Sequence, residues 1–323
     1  MSVLKRIKQA IPEFIEQSQI VTNNFGGSAL RWKLDMAWCL LRYGARPIDY
    51  VRFEFHKKSA RERNRYLTIY RYFRMSKYFG AGMQEVSGKV EEYQTFSRFI
   101  SRNWLITNNI TPPNLLKEFI EKHDVVIAKP VHGEQGKGVI KIESVASPEY
   151  QELLEMCKTT DYVVEEGIKN HEEIAKFNPT SLNTVRAYTL IKKDGSTEIL
   201  AVMLRVGKAG SHVDNWGSGG VGYSFDVETG ICVGYGRDKK NNPYIFHPGS
   251  NYMMIGYKLP RYEELKKLIV EMSQTIPTAR FVGWDIAITP DGFELVEMNC
   301  PGGHDFLQAF GKPFGDQLKK ELL

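Results

Sequence analysis

Cysteine is scarce in this sequence, and the few cysteines present lie far apart. The 323 residues include 4 cysteines, Cys39, Cys157, Cys232 and Cys300, without a CxxC pair. Paired cysteines at short spacings are what disulfide scaffolds and zinc sites require. We therefore expect neither disulfides nor structural zinc, and a reducing cytoplasm is the predicted location.

Long apolar runs are also missing. The best run, Met36 to Leu41, is far shorter than the roughly 20 residues that a membrane-spanning helix needs. The N-terminal stretch MSVLKRIKQAIPEFIEQSQ interrupts its apolar residues with Lys, Arg, Glu and Gln. It lacks the continuous apolar core of a signal peptide, so the sequence predicts neither a transmembrane segment nor a secretory leader.

Charge of one sign is not in large excess. The net charge of +5 is too weak to indicate nucleic-acid binding, although it fits anionic ligands such as nucleotides. The chain is 42% hydrophobic and 25% charged, which is ordinary for a globular protein. The sequence shows no internal repeat and no low-complexity segment.

The sequence contains a clear change of character along its length. Residues 1 to about 85 place apolar residues at helical spacings, and another helix is predicted over about 91 to 107. Further helices are predicted after Ser147-Pro148 and over roughly 261 to 274. The β-rich runs are Val125–Lys129, Val139–Ile142, Tyr162–Glu165, TVRAYTLI, EILAVMLRV, GYSFDV and FVGWDIAITPDGFELVEMN. Without a steady βαβ alternation, an α+β class fits better than a Rossmann sheet.

A glycine-rich loop joins two of these runs, in VVIAKPVHGEQGKGVIKI. Gly133, Gly136 and Gly138 permit a tight turn and bring backbone N–H groups close to a ligand. Lys137 adds a positive charge at the tip, and Lys129 ends the incoming strand. The pattern is not a Walker A loop, because no GK[ST] opens a helix. A plain hairpin turn with surface lysines is the alternative.

The last β-rich run predicts a hairpin around the turn Pro290-Asp291-Gly292. With a three-residue loop, Thr289 pairs with Phe293. Asp285 then falls directly opposite Glu297, on the same face of the sheet.

Asn299 shares that face, since it lies two residues beyond Glu297. Two carboxylates and an amide oxygen suit Mg²⁺, with Mn²⁺ as a possible substitute. A cation would also relieve the repulsion between Asp285 and Glu297. A solvated polar face on an edge hairpin is the alternative.

Two arginines interrupt apolar β patterns, Arg186 in SLNTVRAYTLI and Arg205 in AVMLRVG. An arginine in such a strand needs water or an anionic partner. The planar guanidinium suits phosphate oxygens, whereas a structural salt bridge is the alternative.

Together these segments resemble the sugar-transfer-associated branch of the ATP-grasp superfamily, from about residue 30 to the end. The resemblance is sharpest in AKPVHGEQGKG, NPTSLNTVRAYTL, DNWGSGGVG and GWDIAITPDGFELVEMN. It implies two α+β subdomains that clasp ATP, over residues 91–168 and 169–323, after an N-terminal helical region over residues 1–90.

The resemblance also implies roles for individual residues. Lys129 and the loop Gly133, Gly136, Lys137 and Gly138 would contact the nucleotide phosphates, and the hinge containing Glu165, Glu166 and Ile168 would meet the adenine. His171 or Glu173 would meet the ribose, Arg186 and Arg205 the γ-phosphate, and Asp285, Glu297 and Asn299 the metal. An earlier nucleotide-binding lysine of the family has no clear counterpart; Lys89 and Arg102 are candidates.

The implied activity is a magnesium- and ATP-dependent ligase that forms an acylphosphate and joins a carboxylate to an amine or thiol. An amino acid or a sugar acid in polysaccharide or natural-product biosynthesis is the expected substrate. One alternative is a phosphotransferase acting on a hydroxyl, with Asp214, His212 or His304 as base. Another is a non-catalytic nucleotide-binding module that regulates a glycosyltransferase. Cys300 is expected to be a packing residue.

Overall fold

The fold is taken from a computed structural model, which describes residues 3–79, 86, 88–133, 138–208, 216 and 219–323. Within these residues the chain forms helices and two antiparallel β-sheets. None of the helices described combines the length and the apolarity that crossing a bilayer would require. The four cysteines are free thiols.

The N-terminal part is helical, as predicted. It contains α1 (Val3–Phe25), α2 (Ala29–Tyr43), α3 (Pro47–Arg52), α4 (Ala60–Asn64) and α5 (Ile69–Met75), with 3₁₀ turns at Phe55–Lys57 and Ser76–Tyr78. Gly44 ends α2 in the left-handed conformation, at φ 66°. One buried cluster of mostly aromatic side chains holds these helices together, including Trp32, Met36, Tyr50, Phe55 and Tyr66.

Seven further helices follow in the described residues: α6 (Lys89–Thr95), α7 (Pro113–Lys122), α8 (Pro148–Met156), α9 (Glu172–Ala175), α10 (Tyr262–Thr275), α11 (Asp305–Ala309) and α12 (Gly315–Leu322). A 3₁₀ turn at Ser97–Phe99 follows α6. The helices expected after Ser147-Pro148 and over 261 to 274 are confirmed as α8 and α10. Ser147 caps α8 by accepting a hydrogen bond from the Tyr150 backbone N–H.

The first sheet has the order β1-β4-β2-β3. Its strands are β1 (Trp104–Thr107), β2 (Val126–Pro130), β3 (Ile140–Ile142) and β4 (Tyr162–Glu166). The second sheet has the order β11-β10-β5-β6-β7-β8-β9. Its strands are β5 (Thr184–Ile191), β6 (Thr197–Val206), β7 (Val221–Phe225), β8 (Gly236–Arg237), β9 (Pro243–Tyr244), β10 (Phe281–Ile288) and β11 (Phe293–Asn299).

The helix predicted over about 91 to 107 is wrong in its second half. Helix α6 ends at Thr95, and Trp104–Thr107 is the edge strand β1, in which Trp104 pairs with Glu165. The segment Trp-Leu-Ile-Thr is as typical of a strand as of a buried helix, and short apolar runs cannot distinguish the two. Pairing with β4 supplies the backbone partners that decide the question.

Each face of the second sheet packs against helices. Val185, Ala187 and Val202 point toward α10, where Leu265 and Ile269 bury them. The alternate residues, among them Tyr188 and Met203, face α5, α11 and α12 and are buried in a separate cluster. Because side chains alternate along a strand, the face that carries Arg186 is the one covered by the N-terminal and C-terminal helices.

Candidate functional site

A buried carboxylate between two arginines lies at the centre of the second sheet. Arg186 is directly opposite Asp285 in the β5–β10 register, and its Nη2 donates to Oδ2 of Asp285 at 2.8 Å. Arg205 on β6 approaches Oδ1 of Asp285 at 3.1 Å and donates to the Thr184 hydroxyl at 2.6 Å. The three side chains meet because β10, β5 and β6 are adjacent and share one face.

The charges of this cluster stabilise one another. Burial would raise the pKa of Asp285, but Arg186 and then Arg205 hold it below its ordinary value. Burial likewise opposes the charge of Arg186, yet Asp285 raises the pKa of the guanidinium above its ordinary value. Asp285 is therefore an ionised carboxylate whose oxygens are occupied by arginine N–H groups.

The opposition of Asp285 and Glu297 is confirmed, although the route to it differs from the prediction. Ile288, not Thr289, pairs with Phe293, because Thr289 belongs to the turn and accepts from the Gly292 N–H at 3.1 Å. A β-bulge after Asp285 then adds one residue to β11 and restores the predicted register. The longer turn shifts the pairing by one residue and the bulge shifts it back, so Asp285 and Glu297 are opposite each other as predicted.

Glu297 and Asn299 complete the predicted metal set on the hairpin. The Asn299 side-chain amide donates to Oδ2 of Asp285 at 3.3 Å, which leaves its carbonyl oxygen available. Glu297 is exposed and makes no hydrogen bond or ion pair with the residues that the structure describes. Those residues contain no group of three His, Cys, Asp or Glu side chains that could hold a metal. The oxygen donors fit Mg²⁺, which would need substrate phosphates and water as its further ligands.

In the first sheet, Lys129 on β2 forms an ion pair with Glu165 on β4. Tyr93 donates a hydrogen bond to the same carboxylate, and Arg102 Nε donates to it at 2.9 Å. Burial opposes both charges, but Glu165 raises the pKa of Lys129 and Lys129 lowers the pKa of Glu165. The predicted phosphate lysine is thus charged, partly buried and already paired.

The predicted hinge residues lie at the end of β4 and just beyond it. Glu165 points inward to Lys129, so an adenine contact would use its backbone or require its side chain to move. The Glu166 carboxylate accepts from the Asn103 side-chain amide at 3.1 Å, and Ile168 is half-buried in the connection to α9. The role of these residues toward adenine stays a prediction.

The two ribose candidates flank the first turn of α9. His171 precedes the helix, and its Nδ1 accepts from the Glu173 N–H at 3.2 Å. The Glu173 carboxylate forms an ion pair with Lys176 at 2.5 Å. Both side chains have local partners, and the choice between them remains open.

The glycine loop leaves β2 beside the same cluster. Gly138 has φ 73°, and a Cβ there would lie 3.0 Å from Pro130 Cγ, so both conformation and space favour glycine. The Gly133 carbonyl accepts from Lys89 Nζ at 3.0 Å. Gly136 and Lys137 lie outside the described residues, as do His212 and Asp214.

Three further residues lie in this region: Lys89 and Arg102, which are candidates for the earlier nucleotide-binding lysine, and Glu92, which no sequence pattern predicts. Lys89 reaches the glycine loop through the Gly133 carbonyl, and its contact with the phosphates stays a prediction. Arg102 is buried and links Glu165 to β11, so its surroundings are those of a structural residue. Glu92 on α6 was missed; its Oε1 accepts from the Met298 N–H at 2.7 Å. No motif marks an acid that reaches its site only through tertiary packing.

Charged residues of both sheets affect the pKa of Glu92. Burial raises its pKa to about 8, and the negative charge of Glu297 adds to the effect. Lys129 and Lys89 act in the opposite direction. The hydrogen bond from Met298 places Glu92 beside β11, and Lys89 at the start of the same helix reaches the Gly133 carbonyl, so α6 contacts both β11 and the loop that follows β2.

Two other features involve the N-terminal helices. His304 is buried, with Nε2 at 3.3 Å from Asp49 Oδ1 and its ring packed on Tyr72. A cavity of about 290 Å³ is bounded by α1, α3 and residues 239–241, and none of the predicted site residues lines it.

Two antiparallel sheets, a glycine loop on the first and an arginine–carboxylate cluster on the second define an ATP-grasp protein. More narrowly, the chain belongs to the sugar-transfer associated ATP-grasp family, whose sequence model matches residues 104–313. No functionally curated protein matches this chain.

Several solved structures are similar in fold. An N5-carboxyaminoimidazole ribonucleotide synthetase in complex with ADP is 13% identical, with a TM-score of 0.44, over 69% of this chain and 47% of that one. The D-alanine–D-alanine ligase from Bacillus anthracis is 12% identical, with a TM-score of 0.41, over 66% of this chain and 56% of that one. The D-Ala:D-Ser ligase VanG from Enterococcus faecalis is 17% identical, with a TM-score of 0.42, over 70% of this chain and 60% of that one. The chain thus spans about half of the first of these structures.

Proposed function

We propose that this protein is an ADP-forming ligase that phosphorylates a carboxylate with magnesium and ATP and then joins it to an amine. Membership of the ATP-grasp family supports ATP as the phosphate donor. The observation that carries the proposal is the cluster of Arg186, Arg205 and Asp285 beside Glu297 and Asn299, because it combines phosphate-binding forks with oxygen donors for a cation.

The subdomain boundaries belong to the same proposal. The strands of the first sheet lie within residues 104–166 and those of the second within 184–299, which supports units of 91–168 and 169–323. A cytoplasmic location is also proposed, since the free cysteines suit a reducing compartment.

The chain's own residues would offset the charge of the transferring phosphoryl group and hold the nucleotide in position. Arg186 and Arg205 would turn from Asp285 toward the γ-phosphate and offset the charge of the transferring group. Lys129 would exchange Glu165 for the phosphates in the same way. A magnesium ion held by Asp285, Glu297 and Asn299 would neutralise the phosphate oxygens and orient them.

The proposed chemistry needs no protein nucleophile. A carboxylate oxygen of the substrate attacks the γ-phosphorus as the bond to ADP breaks. The amine then attacks the acyl carbon and displaces phosphate. Burial raises the pKa of the Cys300 thiol to about 11, so it is protonated near neutral pH and agrees with a packing role.

Trapping of the acylphosphate tests the proposal directly. The protein is incubated with Mg-ATP, a panel of amino acids and sugar acids, and hydroxylamine. ADP release together with a hydroxamate, dependent on one acid, is the expected result. A stable phosphorylated alcohol would instead identify a phosphotransferase. If the protein binds ATP tightly but releases no ADP whichever acid or alcohol is added, it is a regulatory module.

Two variants separate chemistry from folding. Glu297→Gln should abolish ADP formation and change stability by no more than about 0.5 kcal/mol, because the side chain is exposed. Asp285→Asn should destabilise the fold by about 3–5 kcal/mol, since it leaves two buried arginines without their anion. Glu149→Gln, an exposed acid on α8, is the matched control. Normal ATP turnover by Glu297→Gln would overturn the metal assignment.

A further inference from the structure

Helix α2 exposes a stripe of large apolar side chains. Leu30 is 66% exposed, Leu34 65%, Trp38 57% and Leu41 84%. Their spacing of four, four and three residues places them within one face of the helix. Isolated exposed leucines are ordinary on protein surfaces. Three leucines and a tryptophan on one helical face form a continuous apolar stripe.

The opposite side of α2 is apolar as well. Trp32, Met36, Cys39 and Tyr43 point inward and bury themselves in the N-terminal cluster. A surface helix of a globular protein normally carries polar residues opposite its buried face. Helix α2 is apolar on both sides, so its outer side has the composition of a face that contacts something else.

Helix α5 extends this feature. Tyr70 and Phe73 are exposed on its outer side, where Arg74 and Lys77 lie on the same helical face. The Tyr70 N–H donates to the Gly44 carbonyl at 3.3 Å, so α5 begins against the C-terminal end of α2. We call the six residues Leu30, Leu34, Trp38, Leu41, Tyr70 and Phe73 the α2–α5 face.

The exposed charges on α2, on α5 and on the turn after α5 are all positive. Arg31 and Arg42 are exposed on α2 beside the stripe, and Arg74 and Lys77 are exposed on α5 and the turn after it. The single acid on these helices, Asp35, is half-buried and held by both terminal nitrogens of Arg63 at 2.8 Å. A second copy docked face to face would bring like charges together, which disfavours self-association here.

We propose that the α2–α5 face docks the protein on an anionic lipid bilayer. Its six residues are between 51% and 84% exposed, which suits insertion among lipid headgroups. Tryptophan, tyrosine and leucine with flanking lysine and arginine are the side chains that interfacial helices use for this purpose. Basic residues near an anionic leaflet add attraction that falls with ionic strength.

Vesicle co-sedimentation of the full chain tests the proposal. We expect binding to vesicles of equal parts phosphatidylcholine and phosphatidylglycerol, and much weaker binding to phosphatidylcholine alone. The double variant Trp38→Ser with Leu41→Ser should lose at least about tenfold in affinity for the anionic vesicles. The matched control is Ile110→Ser, since Ile110 is 81% exposed in a loop of the first sheet. Circular dichroism melting verifies that each variant is folded.

A charge variant provides the second arm. Arg31→Gln with Arg42→Gln should remove most of the preference for anionic vesicles and flatten its dependence on salt. The proposal is overturned if the wild-type protein does not bind anionic vesicles, or if the Trp38/Leu41 double variant binds as well as Ile110→Ser. A wild-type dimer that Trp38→Ser converts to a monomer in light scattering would assign the face to a second copy instead.

Discussion

At the scale of single residues, Glu92 differs most from its surroundings. Its buried carboxyl accepts a hydrogen bond from the Met298 N–H, and the charges of Glu297 and Lys129 act on its pKa in opposite directions. With a pKa raised to about 8 by burial first, it holds a proton in the folded protein at neutral pH. An unfolded chain would release that proton at the ordinary glutamate pKa, near 4.5.

A pH dependence of stability follows from this difference. Because the folded state binds the proton more tightly, the contribution of Glu92 to stability is largest below about pH 4.5 and is lost as the pH rises to about 8. Glu92→Gln keeps an acceptor for Met298 and removes the titration. Without nucleotide or metal, the free energy of unfolding of the wild type should fall relative to this variant over that range, by up to about 1.4 kcal/mol per pH unit.

Denaturant unfolding at several pH values measures the effect. Glu91→Gln is the control, because Glu91 is the exposed neighbour on the same helix. Parallel stability curves for the wild type and Glu92→Gln would show that Glu92 has an ordinary pKa.

At the scale of elements, the edge strand β11 depends on the segment between α6 and β1. Arg102 Nη1 donates to the Leu295 carbonyl at 2.7 Å and to the Glu294 carboxylate at 2.9 Å. The Ser101 N–H donates to Glu294 at 2.9 Å. Since Arg102 also pairs with Glu165, one side chain connects the two sheets. The contact with the Leu295 carbonyl satisfies one backbone group of this edge strand, and the contacts with Glu294 tie its side chain to the preceding segment.

Loss of this arginine should loosen β11. Arg102→Met keeps the length of the side chain but leaves the buried Glu294 without its cation, so we expect about 3–5 kcal/mol of destabilisation. Hydrogen exchange of the β11 amides should accelerate more than that of β6, which lies inside the sheet. Arg98→Met, on the exposed side of the same segment, is the control. Equal acceleration in β6 and β11 would indicate a global effect and contradict a specific role at the edge.

At the scale of the whole molecule, the cations of both sheets are neutralised by the protein's own acids. Lys129 pairs with Glu165, and Arg186 and Arg205 pair with Asp285. A triphosphate would compete with these acids for the basic groups. Displacement of Asp285 from its arginines would make its oxygens available as ligands, so metal and nucleotide binding should be coupled.

Thermal denaturation with each ligand measures the coupling. Magnesium alone should change the Tm little, whereas magnesium and ATP together should raise it by more than the sum of the separate shifts. At a concentration of 100 times Kd, a ligand adds about 2.7 kcal/mol to stability. Glu297→Gln should reduce the combined shift without changing the Tm of the free protein. Additive shifts in the wild type would exclude this coupling.

Local patterns in the sequence determined a large part of this description. The helical N-terminal region, most strands of both sheets and the opposition of Asp285 and Glu297 follow from periodicity and turn residues, because these depend on neighbours in the chain. The family resemblance, carried by several motifs, is confirmed by the match over residues 104–313.

Only the tertiary structure decided what each of these side chains touches. The pairing of Lys129 with Glu165, the two arginines on Asp285, and the approach of Glu92 and Arg102 to β11 join residues that are distant in the chain. The strand β1 was missed for the same reason, since its partner β4 follows it by more than 50 residues. Burial and long-range contacts set charge, pKa and exposure, and no local pattern of residues encodes them.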